Sequence, residues 1–157
     1  MNKITPHLWF DNQAQEAAEL YCSVFDGSKI LDTSVYPEGS PSPGTVLSVR
    51  VNIAGQEAIF LNAGPQFKLD EAFSFFVDCE DQDEVDRYWN ALTADGGEES
   101  MCGWLKDKYG VSWQIVPSVL EKLLTDSNSA KASAAMQSML QMRKLDIAEL
   151  QRAFDTA

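Results

Sequence analysis

The residue types able to do chemistry are few in this chain. There is one histidine, His7, and there are three cysteines, Cys22, Cys79 and Cys102. The cysteines are widely spaced and none belongs to a Cys-x-x-Cys pair. His7 does not complete a zinc site with them at any usual spacing. All three lie among apolar neighbours, where a reduced cysteine behaves as a small hydrophobe, so they read as structural. His7 can act as a general base if a carboxylate orients it, but no Ser-His-Asp set assembles around it. No catalytic residue is assigned. Arg50 has a definite preference, because a guanidinium offers forked donors to a carboxylate or a phosphate. Sequence leaves open whether Arg50 serves a site or lies on an exposed hairpin edge.

The hydropathy pattern predicts the elements that position these residues. Residues 4–10 alternate, with Ile4, Pro6, Leu8 and Phe10 on one side and Thr5, His7 and Trp9 on the other. That is a strand, and Pro6 marks it as an edge or a bulge. Asp11 or Asn12 is expected to cap a helix carrying Ala14, Ala17, Ala18, Tyr21 and Phe25, which stops at Asp26-Gly27-Ser28. A strand from about Lys29 to Tyr36 and a proline- and glycine-rich loop over 37–44 come next. Two strand-like runs, 46–53 and 56–62, flank Ala54-Gly55, a strong hairpin signal. In the first run Val49, Val51 and Ile53 oppose Ser48, Arg50 and Asn52; in the second, Ile59 and Leu61 oppose Ala58, Phe60 and Asn62.

The order then starts again. A strand is expected over 73–78, and a helix over 81–94 with Val85, Tyr88, Trp89 and Leu92 buried. Strand-like runs over 99–107 and 111–117 follow, split at Asp107-Lys108-Tyr109-Gly110, where Lys106, Asp107 and Lys108 read as a solvated turn. Helices are expected over 118–125, 128–141 and 146–155, divided by Thr125-Asp126-Ser127-Asn128 and by the Asp146 cap. The halves read as a repeat of strand, helix and further strands. Glu16-Ala17 matches Glu84-Val85, Leu20-Tyr21 matches Tyr88-Trp89, and Asp26-Gly27 matches Asp95-Gly96.

At 157 residues the chain is long enough to bury a core without disulfides or a structural metal. Its net charge of -12 opposes binding to nucleic acid or to anionic membrane surfaces. No apolar run reaches the ~18 residues of a membrane span, and the first residues carry no signal-like stretch. A cytoplasmic location is the expectation.

Four stretches carry a family resemblance: Ile4-Thr5-Pro6-His7-Leu8-Trp9-Phe10-Asp11, Ala14-x-x-Ala17-Ala18-x-x-Tyr21, Leu61-Asn62-Ala63-Gly64-Pro65, and the run from Cys102 to Pro117. The last is the most specific. The third departs from a Leu-Asn-Gly-Gly-Pro turn at Ala63. Together they resemble the PhnB-like branch of the vicinal-oxygen-chelate (glyoxalase/bleomycin-resistance/dioxygenase) superfamily. The resemblance implies an α+β fold in which tandem βαβββ units over residues 1–117, halves about 1–66 and 70–117, form a curled mixed sheet around a cavity. A C-terminal helical extension over 118–157 is expected to pack on that domain or on a dimer partner.

The resemblance also implies a small-molecule site on the concave face of the sheet. Its expected ligand-binding residues are His7, Trp9, Arg50, Phe60, Asn62, Phe76, Trp104 and Gln114. Aromatic walls with a few fixed polar groups suit a small anionic or aromatic molecule. Trp113 alternates to the helix side. In metal-using relatives the last strand presents Glu four residues after the turn glycine; counting from Gly110 reaches Gln114. His7 and Gln114 are weak metal candidates, with Glu57 or Asn62 a poor third. This falls short of the roughly four donors that a zinc-like ion takes, so no cofactor is expected.

Two functions stay open. One is an enzyme acting on a compact anionic substrate, metal-independent or weakly metal-dependent. The other is a non-catalytic sequestering module like the bleomycin-resistance members. Relatives usually dimerise. The apolar tail stripe of Met136, Met139, Leu140, Met142, Leu145, Ile147, Leu150 and Phe154 must be covered, so a homodimer is expected. This branch often carries a demethylubiquinone methyltransferase label, yet the chain contains no G-x-G turn.

Overall fold

The computed structural model describes residues 2–157. The chain divides into two compact units, residues 1–69 and 70–157. The expected α+β fold is present, and among the described residues its eight strands are divided between two four-stranded mixed sheets. Each unit repeats one connectivity.

The first unit contains β1 (His7–Phe10), α1 (Ala14–Val24), β2 (Lys29–Val35), β3 (Val46–Ile53) and β4 (Gln56–Asn62). Its sheet order is β1-β4-β3-β2, with β1 parallel to β4 and the other pairs antiparallel. Pro6 is tolerated because β1 is an edge strand, and its carbonyl still accepts from Ile59 N at 2.9 Å. Between β3 and β4, Ala54 and Gly55 both take positive φ, +48° and +99°. This is the two-residue turn whose twist matches paired strands. Ser28 Oγ accepts from Ala54 N and Asn52 Oδ1 from Gly55 N. Neither Asp11 nor Asn12 caps α1. Its buried Ala14 amide instead donates to Asn62 Oδ1 at 2.9 Å, so the last residue of β4 supplies the cap from across the fold. Ala14, Ala17, Ala18 and Tyr21 of α1 pack on Val49, Val51, Ala58 and Phe60, all fully buried.

The second unit contains β5 (Ser74–Cys79), α2 (Gln82–Thr93), β6 (Glu98–Glu99), β7 (Trp104–Lys106) and β8 (Ser112–Pro117). The order is β5-β8-β7-β6, again with the first pair parallel. Asp81 caps α2 by accepting from Glu84 N. Val85, Tyr88, Trp89 and Leu92 form its buried face, as the periodicity predicts. Ala17 and Val85, and Tyr21 and Trp89, are matched repeat positions, and all four are core residues.

The run 99–107 is not one strand. It breaks at residues 100–103, where Cys102 and Gly103 take φ of +59° and +84°. Their amides turn outward to donate to the carbonyls of Met142 and Arg143, both at 2.8 Å. The tail therefore docks on the second unit. Its helices are α3 (Val119–Leu124), α4 (Ser129–Leu140) and α5 (Ile147–Asp155). Asn128 and Asp146 cap the last two. Leu120, Leu123, Ala135, Leu145 and Leu150 form a local core flanked by Met139, Met142 and Phe154. Gln82 fastens the tail to α2, donating to Leu145 O and accepting from Ile147 N. Met136 and Leu140 of the expected stripe stay exposed. Among the described residues no helix is long and apolar enough to cross a membrane.

A Cβ on Gly103 would sit 2.9 Å from Ile115 O and 3.0 Å from a Leu145 methyl, whereas one on Gly55 meets nothing. Both positions need left-handed backbone, costing an alanine about 1–2 kcal/mol. Only at Gly103 does overpacking add roughly 1–3 kcal/mol. Urea denaturation is expected to show Gly103→Ala losing clearly more stability than Gly55→Ala. Equal losses would contradict the close approach.

Candidate functional site

In the first unit the β3–β4 register decides which residues share a face. Arg50 lies opposite Ile59, and Ile59 pairs on its other side with His7 of β1. The adjoining row is Trp9, Leu61, Ser48 and Ser34, and Glu57 lies opposite Asn52. The face turned away from α1 thus carries His7, Trp9, Arg50, Glu57, Ile59 and Leu61. Phe60 does not belong to it. Phe60 pairs with Val49, is fully buried, and meets Phe10 and Tyr21 with ring centroids at 5.0 and 5.8 Å. Asn62 is on the helix side too, holding the Ala14 amide and donating to Val46 O at 3.2 Å. The two-residue turn carried the missing signal. It makes Ile53 and Gln56 the closing pair, which aligns Phe60 with the core residues of β3.

On the far face, the Trp9 indole donates to Gly64 O at 2.9 Å and meets Phe67 edge-on, centroids 5.0 Å apart. The hydroxyls of Ser34 and Ser48 pair at 2.7 Å. His7 is exposed. Arg50 Nη1 and Glu57 Oε2 are shielded from solvent and have no hydrogen-bond partner. Elsewhere in this unit, a cleft of about 660 Å³ opens beside the start of α1, lined by Asp11, Glu16, Tyr36, Val46 and Asn62 among others. It contains two carboxylates and no cationic side chain, so its field opposes an anion.

The second unit places Phe76, Gln114 and Trp104 side by side across β5, β8 and β7. Phe76 is 61% exposed, and the Gln114 amide donates to Ser74 Oγ at 3.0 Å. Trp113 faces the core, as expected, and its indole donates to Asp107 Oδ2 at 2.9 Å. Asp107 is not a solvated turn residue. It is buried, and its other oxygen accepts from the amides of Tyr109 and Val111. Three donors compensate its desolvation. Lys106 ion-pairs with Glu71 and holds that carboxyl below its ordinary range.

The metal implied by a glyoxalase-like fold does not fit these residues. Among the described residues no three His, Cys, Asp or Glu side chains come together as a ligand set, and Gln114 could add only a neutral amide oxygen. His7 has no described hydrogen-bonding or ion-pairing partner to orient it as a base. The cysteines are free, and Cys79 is fully buried. Burial, then the nearby Glu84 and Asp78 charges, push its thiol up to about 12.

Comparison with known proteins gives this arrangement a family. Residues 2–116 match the family model of 3-demethylubiquinone-9 3-methyltransferase. The PhnB protein from Bacillus cereus is 36% identical, with 74% of this chain and 99% of that one covered and a TM-score of 0.68. Protein PA1353 from Pseudomonas aeruginosa is 20% identical over 74% of this chain and 98% of its own, TM-score 0.63, a likeness of fold. No functionally curated protein matches the chain.

The Cys79 environment has a measurable consequence. In the unfolded chain this thiol ionises near pH 8.5, whereas folding holds it protonated to about 12. The folded state keeps the extra proton across that window, so its stability falls as pH rises from about 8.5 towards 12. Urea midpoints between pH 8 and 11 are expected to drop less steeply in Cys79→Ala than in wild type. At pH 8 Ellman's reagent is expected to reach Cys79 only after unfolding; labelling in the native state would refute the burial.

Proposed function

The chain belongs to the 3-demethylubiquinone-9 3-methyltransferase family in its PhnB-like form, and on that premise we propose that it binds a compact anionic small molecule. The site is the face of the first unit's sheet turned away from α1, and Arg50 is its anchor. One observation carries this reading: Arg50 Nη1 is shielded from water and donates to nothing in the protein. A buried donor left unpaired costs about 1–3 kcal/mol, more when charged. A carboxylate or phosphate oxygen would satisfy it in the geometry guanidinium favours. Ile59 and Leu61, half-buried on the same face, and Trp9 beside them offer apolar contact to the rest of the molecule. His7 flanks Ile59 on the edge strand.

Binding is favoured over chemistry because His7, the residue best suited to proton transfer, is exposed and unoriented. Methyl transfer, the activity in the family's name, usually rests on a parallel sheet whose first strand enters a glycine-rich turn. Here β1 runs into Asp11-Asn12-Gln13 and both sheets are mixed. A second reading, sequestration of a flat aromatic compound, draws support from the exposed Phe76 ring beside Gln114 and Trp104 on the second unit. The exposed Met136 and Leu140, one turn apart on α4, support a homodimer. Light scattering is expected to give twice the chain mass of 17.4 kDa, and Met136→Lys with Leu140→Lys to shift it towards the monomer.

Arg50→Met separates function from stability. Without ligand, the variant is expected to be as stable as wild type or more so, since it removes a shielded donor atom that has no partner. In a thermal-shift screen of phosphate, benzoate and short carboxylic acids, every anion that stabilises wild type is expected to lose about tenfold or more in affinity. Hits unchanged by Arg50→Met would refute the assignment.

A further inference from the structure

Among the described residues, only two buried side-chain nitrogen or oxygen atoms lack a hydrogen-bond partner, Arg50 Nη1 and Glu57 Oε2. Both belong to the same sheet. Arg50 pairs with Ile59 and Asn52 with Glu57, so Arg50 and Glu57 are diagonal neighbours on the face away from α1. Their Cα atoms are thus roughly 7–8 Å apart. Opposite charges at such positions attract, yet Arg50 forms no ion pair with Glu57 or with Asp32, its register partner on β2. Each shielded atom needs its own complement, because a polar atom out of water and unpaired costs about 1–3 kcal/mol.

We infer that this face takes an amino-acid-like zwitterion, its anionic group held by Arg50 and its ammonium by Glu57. The inference rests on the anion site proposed above and deepens it. A simple carboxylate would satisfy Arg50 and leave Glu57 Oε2 shielded and unpaired. A hydroxy acid would offer Glu57 one donor without opposing its charge, whereas an ammonium brings several donors and the opposite charge. The apolar Ile59 shares Arg50's row beside Glu57, and Leu61 of β4 with Trp9 of β1 forms the next row beyond Arg50, so the ligand's side chain is apolar. A glutamate on a pure anion site would repel the ligand it serves; on a zwitterion site it selects for it.

Calorimetric titration of the full chain with three probes of matched shape tests this. The probes are 3-phenylpropionate, 3-phenyllactate and phenylalanine, each titrated into wild type, Arg50→Met and Glu57→Gln. Phenylalanine is expected to bind wild type about tenfold or more tighter than 3-phenylpropionate. Glu57→Gln is expected to abolish that preference while leaving 3-phenylpropionate unchanged, and Arg50→Met to weaken all three. Equal affinities in wild type, a preference that survives Glu57→Gln, or a preference for phenyllactate over phenylalanine overturns the zwitterion. In each case the anion site stands if Arg50→Met still weakens 3-phenylpropionate. Binding indifferent to Arg50→Met, or no binding of any probe at millimolar concentration, overturns the anion site and the zwitterion with it. Were the two side chains only partners of each other, Glu57→Gln would lower the urea midpoint of the unliganded protein, which also overturns the inference.

Discussion

The turn at Ala54-Gly55 sets how β3 lies against β4, and nearly everything in the first unit depends on that register. With only two residues in the turn, Ile53 must pair with Gln56, and each later pair follows. Val49, Val51, Ala58 and Phe60 then fall on the side covered by α1. A slip of one residue would turn Phe60 to the other face and bring Ile59 beneath the helix. The register also brings Asn62 to the start of α1, where its side-chain oxygen receives the first helical amide. One backbone geometry thus builds the core, caps the helix and leaves Arg50 and Glu57 on the far side.

The second unit reaches the same connectivity by another device. Its β7–β8 connection is organised by the buried Asp107 carboxylate, which gathers two backbone amides and the Trp113 indole. That fixes where β8 begins and so aligns Gln114 with Trp104 and Phe76. A neutral side chain at 107 would leave at least one of these donors poorly matched. The break at Cys102-Gly103 has the opposite role. It gives up strand pairing so that two amides can hold the tail at Met142 and Arg143.

Most of this architecture is legible in the residue pattern, because alternation and helical spacing are local. The stripe Val85, Tyr88, Trp89 and Leu92, the Asp146 cap and the Ala54-Gly55 hairpin can each be read within a dozen residues. What escapes is set by partners distant in sequence. No local rule shows that Asn62 rather than Asp11 or Asn12 caps α1, or that Asp107 draws in Trp113. The misplacement of Phe60 is different in kind. Hairpin arithmetic corrects it once cross-strand pairing, and not alternation within each strand alone, decides the face. Of the expected site residues, His7, Trp9 and Arg50 share one face of the first unit's sheet, and Phe76, Trp104 and Gln114 one row of the second's. Glu57 enters the proposed site only because the shielding of its Oε2 can be seen.

That shielding is informative because the other buried polar side chains among the described residues obey the rule it breaks. Ser34 pairs with Ser48, Asn62 is bonded at both ends of its amide, and Asp107 accepts from three donors. A domain of this size has a stability margin of only about 5–15 kcal/mol. Two uncompensated buried polar groups at about 1–3 kcal/mol each would consume a good part of it. Chance would scatter such violations, but both lie diagonally adjacent on one sheet face and carry opposite charge. Sequences that are locally consistent elsewhere depart from consistency where function requires it. On the proposed reading, the unpartnered Arg50 Nη1 and Glu57 Oε2 are half of a set of interactions whose other half is the ligand.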